Sequence, residues 1–191
     1  MVSEEIFSPV VAALSVSVVF LVLLAMMVAE LPFGDVVRVA IDRHAQKAML
    51  LVATVSTASS LYYSEYAKFT PCDFCWYQRI MMYPLAVLLL VALVSRSRLD
   101  ARYIVTMAGI GLALSIYHYQ LEMFPNQAEI CSGAVSCTKR FVEEFGFVSI
   151  PFMAGCGFLT ILLLQLFEWR VDYLYRRWSE AEIDAEESAT P

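Results

Sequence analysis

Charge is what this chain has least of, and the places where it is missing decide its class. Five stretches, residues 6–29, 48–64, 80–95, 103–121 and 145–167, contain no Asp, Glu, Lys or Arg. A bilayer-spanning helix needs about 20 apolar residues, within a range of about 17–25. The chain is also 60% hydrophobic, whereas soluble domains average about 45–50% apolar residues. Both facts point to the membrane. Lysine is scarce too, 3 against 10 Arg, and the net charge is −6. Without a basic patch there is no electrostatic footprint for nucleic acid. The seven glycines are dispersed and form no phosphate-binding loop, and no internal repeat is present.

The five apolar runs predict an all-α membrane protein, a four-helix transmembrane bundle with an additional N-terminal transmembrane helix. The third run is short, and Arg79 at its edge can snorkel to extend it. Residues 1–47 read as the N-terminal helix and a linker, 48–168 as the core, and 169–191 as an acidic tail. The connection from Arg96 to Arg102 is short, so the helices flanking it should be antiparallel neighbours. Glu4 and Glu5 stand where a signal peptide carries basic residues, and the run that follows is long, which predicts a retained first helix. Nine of the 13 Lys and Arg fall in one set of alternating loops and four in the other. The positive-inside rule places the nine in the cytoplasm. The N-terminus is then outside, the acidic tail inside, and four cysteines sit at the extracytoplasmic face of the cell membrane, where disulfides persist.

Those cysteines form two close pairs. Cys72 and Cys75 make a C-x-x-C after Pro71, just before an apolar helix. Cys131 and Cys137 make a C-x5-C in a later polar loop beside Gly133. Each pair is close enough to bridge, and dithiols at a membrane surface suit electron transfer to something dissolved in lipid. Cys75 lies near a helix N-terminus with Arg79 four residues on, and both features favour a thiolate there. Structural bridges remain an alternative, as does a zinc site built from all four sulfurs. The oxidising compartment, the loop spacing and the Arg79 cation speak against zinc. His118, near the end of the fourth run, reads either as an interfacial anchor or, with Arg79, as a group for the oxygens of a quinone. Cys156 reads as a small apolar residue. Aromatics cluster near the cysteines, among them Tyr62, Tyr63, Tyr66, Phe69, Trp76 and Tyr117, as expected at headgroup level.

Three segments together resemble the disulfide bond formation protein B family, the membrane thiol:quinone oxidoreductases. Pro71-Cys72-Asp73-Phe74-Cys75-Trp76-Tyr77-Gln78-Arg79-Ile80-Met81-Met82-Tyr83-Pro84-Leu85 is similar to the family's signature. Tyr117-His118-Tyr119-Gln120-Leu121-Glu122-Met123-Phe124-Pro125 resembles the end of its third core helix. Phe145-Gly146-Phe147-Val148-Ser149-Ile150-Pro151-Phe152-Met153 resembles the entry to its last. The resemblance implies an enzyme that reoxidises an extracytoplasmic thioredoxin-like dithiol oxidase and passes electrons to a quinone of the ubiquinone or menaquinone type. It implies that Cys75 faces the quinone and that Cys72 exchanges with the second pair. Cys131 would form the mixed disulfide with the partner, and Cys137 would then connect to Cys72. Arg79 would sit at the quinone, with His118 near it. Two departures stand out. The first helix is extra, and the Cys131–Cys137 spacing is tight, as in short-loop members. A vitamin K epoxide reductase-like protein is an alternative that the Trp76–Arg79 and Pro84 context fits less well, and a structural or zinc-binding membrane protein is another.

Overall fold

The computed structural model describes residues 2–30, 35–124 and 137–189. Five α-helices carry the chain: α1 (Val2–Ala29), α2 (Asp35–Leu61), α3 (Asp73–Val94), α4 (Ala101–Met123) and α5 (Ile150–Ala189). Helices α2, α3, α4 and α5 pack in chain order around a closed ring, and α1 lies outside it against α5 and α2. The molecule is an all-α membrane protein. Among the described residues, α1, α3, α4 and part of α5 (Ile150–Arg177) are long and apolar enough to cross a bilayer.

The second expected span is built differently. Arg38, Arg43 and Lys47 occupy the first half of α2, so the linker expected before it is helical from Asp35 onward. The charge-free run begins at Ala48, fills the rest of α2 and ends inside one π-helical turn, Tyr62–Tyr66. The third span also starts earlier than its uncharged run, because Cys72 in extended conformation begins the helix and Asp73 opens its first turn. Arg79 lies within α3, one turn after Cys75, as expected.

Lipid tails are as apolar as leucine side chains, so membrane helices associate by close packing at small residues more than by burying grease. The buried seams run at spacings of three and four, with small residues prominent on α2 and α4. On α2 they are Ala45, Met49 and Ala53; on α3, Gln78, Met82, Leu85, Leu89 and Ala92; on α4, Ile104, Ala108, Gly111, Ser115 and His118. Fully buried Phe158 of α5 fills the space over Gly111, where a Cβ would collide with its ring. Gly157 lets α2 approach closely, since a Cβ there would stand 2.8 Å from Ser56 Oγ. Gln78, Ser115 and His118 thus share seams with the packing residues, toward one end of the bundle.

At the other end, charged groups tie the helices. Asp100 accepts a hydrogen bond from the Arg102 amide at 2.8 Å and caps α4. Arg98 pairs with Glu168 at 2.9 Å and Arg170 with Glu30 at 3.0 Å. Arg38 Nε donates to the Ala29 carbonyl at 2.8 Å, closing the last turn of α1.

Candidate active site

The site is built where α3 begins. Cys72 stands at the N-cap and Cys75 in the first turn, and that spacing turns both thiols to one side with their sulfurs 3.2 Å apart. Both are free thiols. Cys72 is buried and packs in one cluster with Phe74, Leu121 and Cys137. Cys137 is buried and disulfide-bonded. Its expected partner, Cys131, lies outside the described residues.

His118 comes to the same point from α4. Its Nε2 lies 3.4 Å from the Cys72 sulfur, and the Gln78 amide meets its Nδ1 at 3.4 Å. An amide N–H donating to Nδ1 leaves the ring proton on Nε2, where it faces the sulfur. The contacts that stabilise a thiolate therefore converge on Cys72. Its pKa is held down to about 4, first by the hydrogen bond from the Cys75 thiol, against the opposing effect of burial, and then by His118.

Here the geometry departs from the expectation of a thiolate at Cys75 secured by Arg79. The Arg79 guanidinium is committed elsewhere. Its Nε donates to Ser60 Oγ at 3.0 Å, its Nη2 to the Ser60 carbonyl at 3.1 Å, and it lies over the Trp76 ring at 5.2 Å. Tyr83 adds a hydrogen bond to the same Ser60 hydroxyl at 3.2 Å.

Cys75 opens the other way, into a cavity of about 320 Å³ enclosed by α1, α2, α3 and α5. Most of its wall is aliphatic or aromatic, with Ser56, Ser59, Ser60, Gln78 and Arg79 as its polar margin. Cys75 and Arg79 both line it, whereas Cys72 and His118 do not. His118, expected beside Arg79, instead lies against the Cys72 sulfur, outside the cavity lining. The five described site residues thus form a sequence in space: Cys137, then Cys72 with His118, then Cys75, then the cavity with Arg79.

Gln78, Ser60 and Glu122 were not singled out from the sequence. Gln78 follows Cys75 by three positions and Glu122 follows His118 by four, spacings that place each on its neighbour's helical face. Glu122 is buried, and its Oε2 has no partner among the described groups. Ser60 belongs to a run of small hydroxyls, Ser56, Thr57, Ser59 and Ser60, in an otherwise apolar segment. Cys72, Cys75 and His118 also bring three potential metal ligands within 4.8 Å of one another. A closed structural zinc site needs four, and Cys137, bonded in a disulfide, offers no thiolate as the fourth.

The family model for Disulfide bond formation protein DsbB matches residues 42–168. A probable disulfide formation protein of Oceanobacillus iheyensis is 42% identical over 132 residues, covering 66% of this chain and 91% of that relative. Disulfide bond formation protein C of Bacillus subtilis is 40% identical over 117 residues, 60% of this chain and 85% of the relative. Probable disulfide formation protein C 1 of Bacillus cereus is 44% identical over 109 residues, 56% and 78% respectively. No solved structure matches the chain.

Proposed function

This chain belongs to the DsbB family of disulfide bond formation proteins, and from that premise we propose that it is a membrane thiol:quinone oxidoreductase. It reoxidises an extracytoplasmic thioredoxin-like dithiol oxidase and delivers two electrons to membrane quinone. The observation that carries this reading is the position of the C-x-x-C. One sulfur packs with the disulfide-bonded Cys137, and the other lines an apolar cavity.

The cavity suits a quinone by its chemistry. A flat ring bearing two carbonyl oxygens needs donors at one margin and apolar walls elsewhere, and Arg79 with the α2 serines provides that margin. When bound, a quinone supplies an acceptor for two electrons and two protons. The residues of the chain do the rest. The partner's dithiol reduces the Cys131–Cys137 bridge, and the partner leaves with its own bridge formed. The freed Cys137 thiolate attacks the Cys72 sulfur of the Cys72–Cys75 bridge, and Cys75 departs as thiolate through a mixed disulfide. Cys131 then attacks Cys137 and releases Cys72, whose negative charge the Cys75 thiol and His118 stabilise. That leaves a dithiol at Cys72 and Cys75 and a bridge at Cys137, the bonding state described above. Arg79, lining the same cavity as Cys75, would hold a bound quinone at its polar margin, and its cation would stabilise negative charge there. On this reading the cysteine end of the bundle faces the extracytoplasmic side.

The test is thiol-dependent quinone reduction by the purified protein. Cys75→Ser should abolish it, and retained turnover would refute the role of Cys75. Cys137→Ser should leave the inner pair oxidisable by quinone while stopping turnover of the partner dithiol; continued partner oxidation would break the two-pair relay.

A further inference from the structure

Helix α1 lies outside the segment that matches the family, which begins at residue 42. It nevertheless encloses the cavity into which Cys75 opens. Val11, Leu14, Ser15 and Val18 line it, and their spacing of i, i+3, i+4 and i+7 defines one helical face. The opposite face carries Phe20 and Met27, 64% and 70% exposed, as lipid-facing residues would be.

The helix is held in a definite register. Ala12 is fully buried, Phe7 packs tilted against Tyr62 with ring centroids 3.8 Å apart, and the buried Tyr63 hydroxyl donates to Ser8 Oγ at 3.3 Å. Those contacts anchor α1 to the π-helical turn beside the dithiol. Further along, the Ser15 hydroxyl bonds the Ala12 carbonyl at 2.8 Å and stands against the Cys156 thiol of α5, another lining residue. Because α1 packs on α5 and α2, it covers the side of the cavity that those two helices would otherwise leave to lipid.

We propose that α1 is a working wall of the quinone site and that its face Val11–Leu14–Ser15–Val18 determines which quinones the enzyme accepts. This rests on the quinone reading above and assigns specificity to a segment outside the family core. Leu14 is 52% exposed while lining the cavity, which places it at the opening. The inner residues Ser15 and Val18 then limit the bulk that fits, and Leu14 borders the route by which an apolar tail leaves.

The test uses the full-length protein in detergent or vesicles with short-tailed ubiquinone and menaquinone analogues. Val18→Trp should raise the quinone KM about tenfold, equivalent to about 1.4 kcal/mol, with the KM for the partner dithiol unchanged. Phe20→Trp, on the opposite face, should leave both constants at wild-type values. Val18→Ala and Ser15→Ala remove bulk and keep the fold safe. They should shift the ratio of kcat/KM toward the bulkier naphthoquinone ring. Wild-type quinone constants and an unchanged ring preference in both Val18→Trp and Val18→Ala would overturn the assignment to α1. Failure of the unaltered protein to reduce any quinone would instead overturn the function from which the inference starts.

Discussion

The acidity of Cys72 offers the sharpest test of the site. Its sulfur sits 3.2 Å from the Cys75 sulfur and 3.4 Å from His118 Nε2, and its pKa is pulled down to about 4, against about 8.5 for an ordinary cysteine. The largest cause is the hydrogen bond from Cys75. A hydrogen bond to a charged group is worth about 1.5–3 kcal/mol. At 1.36 kcal/mol per pKa unit, losing that donor should raise the Cys72 pKa by about 1–2 units. Cys75→Ala removes the donor, whereas Cys75→Ser keeps a hydroxyl in its place. His118→Phe should move the pKa in the same direction by less. The sign follows from the charge: each removed group favours the thiolate, so each loss moves the midpoint toward higher pH. The measurement is the rate of Cys72 alkylation by a small reagent against pH, in a Cys156→Ala background, read by peptide mass. The reaction will be slow because Cys72 is buried, but its pH profile still reports the titration. An ordinary midpoint near pH 8.5 in the Cys75→Ser protein, or the same midpoint in the Ser and Ala proteins, would refute the reasoning.

Two further outcomes follow from the packing. Ser60→Ala removes one of the two ties on Arg79 and the tie to Tyr83; it should raise the quinone KM by about tenfold or less, about 1.4 kcal/mol at most, while Arg79→His should raise it further. A larger effect on the partner's KM than on the quinone's would count against Arg79 at the cavity. Gly111→Ala forces a methyl into the Phe158 ring and should destabilise the bundle by about 1–3 kcal/mol, seen as a lower midpoint in a thermal unfolding assay; an unchanged midpoint would show that the α4–α5 seam is looser than its geometry.

The bundle was legible because bilayer energetics act on charge directly. Each uncharged run corresponds to a helix, and the short Arg96–Arg102 connection joins two that pack side by side. Helix limits were less legible where charge and conformation part company. Arg38, Arg43 and Lys47 lie within α2, since charged residues at the end of a membrane helix still propagate it. The start of α3 lies a few residues before Trp76, since Cys72 caps that helix. The closeness of Cys72 and Cys75 was legible from their spacing alone. What was not legible was the partner of each polar group. Arg79 is four residues after Cys75 on one helical face, yet its guanidinium turns toward Ser60 of the neighbouring helix. His118, read as a companion of Arg79, points into the bundle at Cys72, because the α4 seam from Ile104 through Ser115 continues to it. Such pairings depend on how two helices rotate against each other, and no local pattern encodes that.

The near-complete enclosure of the Cys72–Cys137 junction, 6% and 1% exposed, has a consequence for leakage. A small soluble thiol reaches either sulfur only slowly, so in the proposed relay it competes poorly with the tethered Cys137 for the Cys72 end of the inner bridge. Sulfurs tethered in one molecule meet at local concentrations in the millimolar range or above, whatever thiols circulate outside. In the proposed relay the junction is an insulated contact, one that passes current between its own terminals and resists short circuit through the surrounding medium.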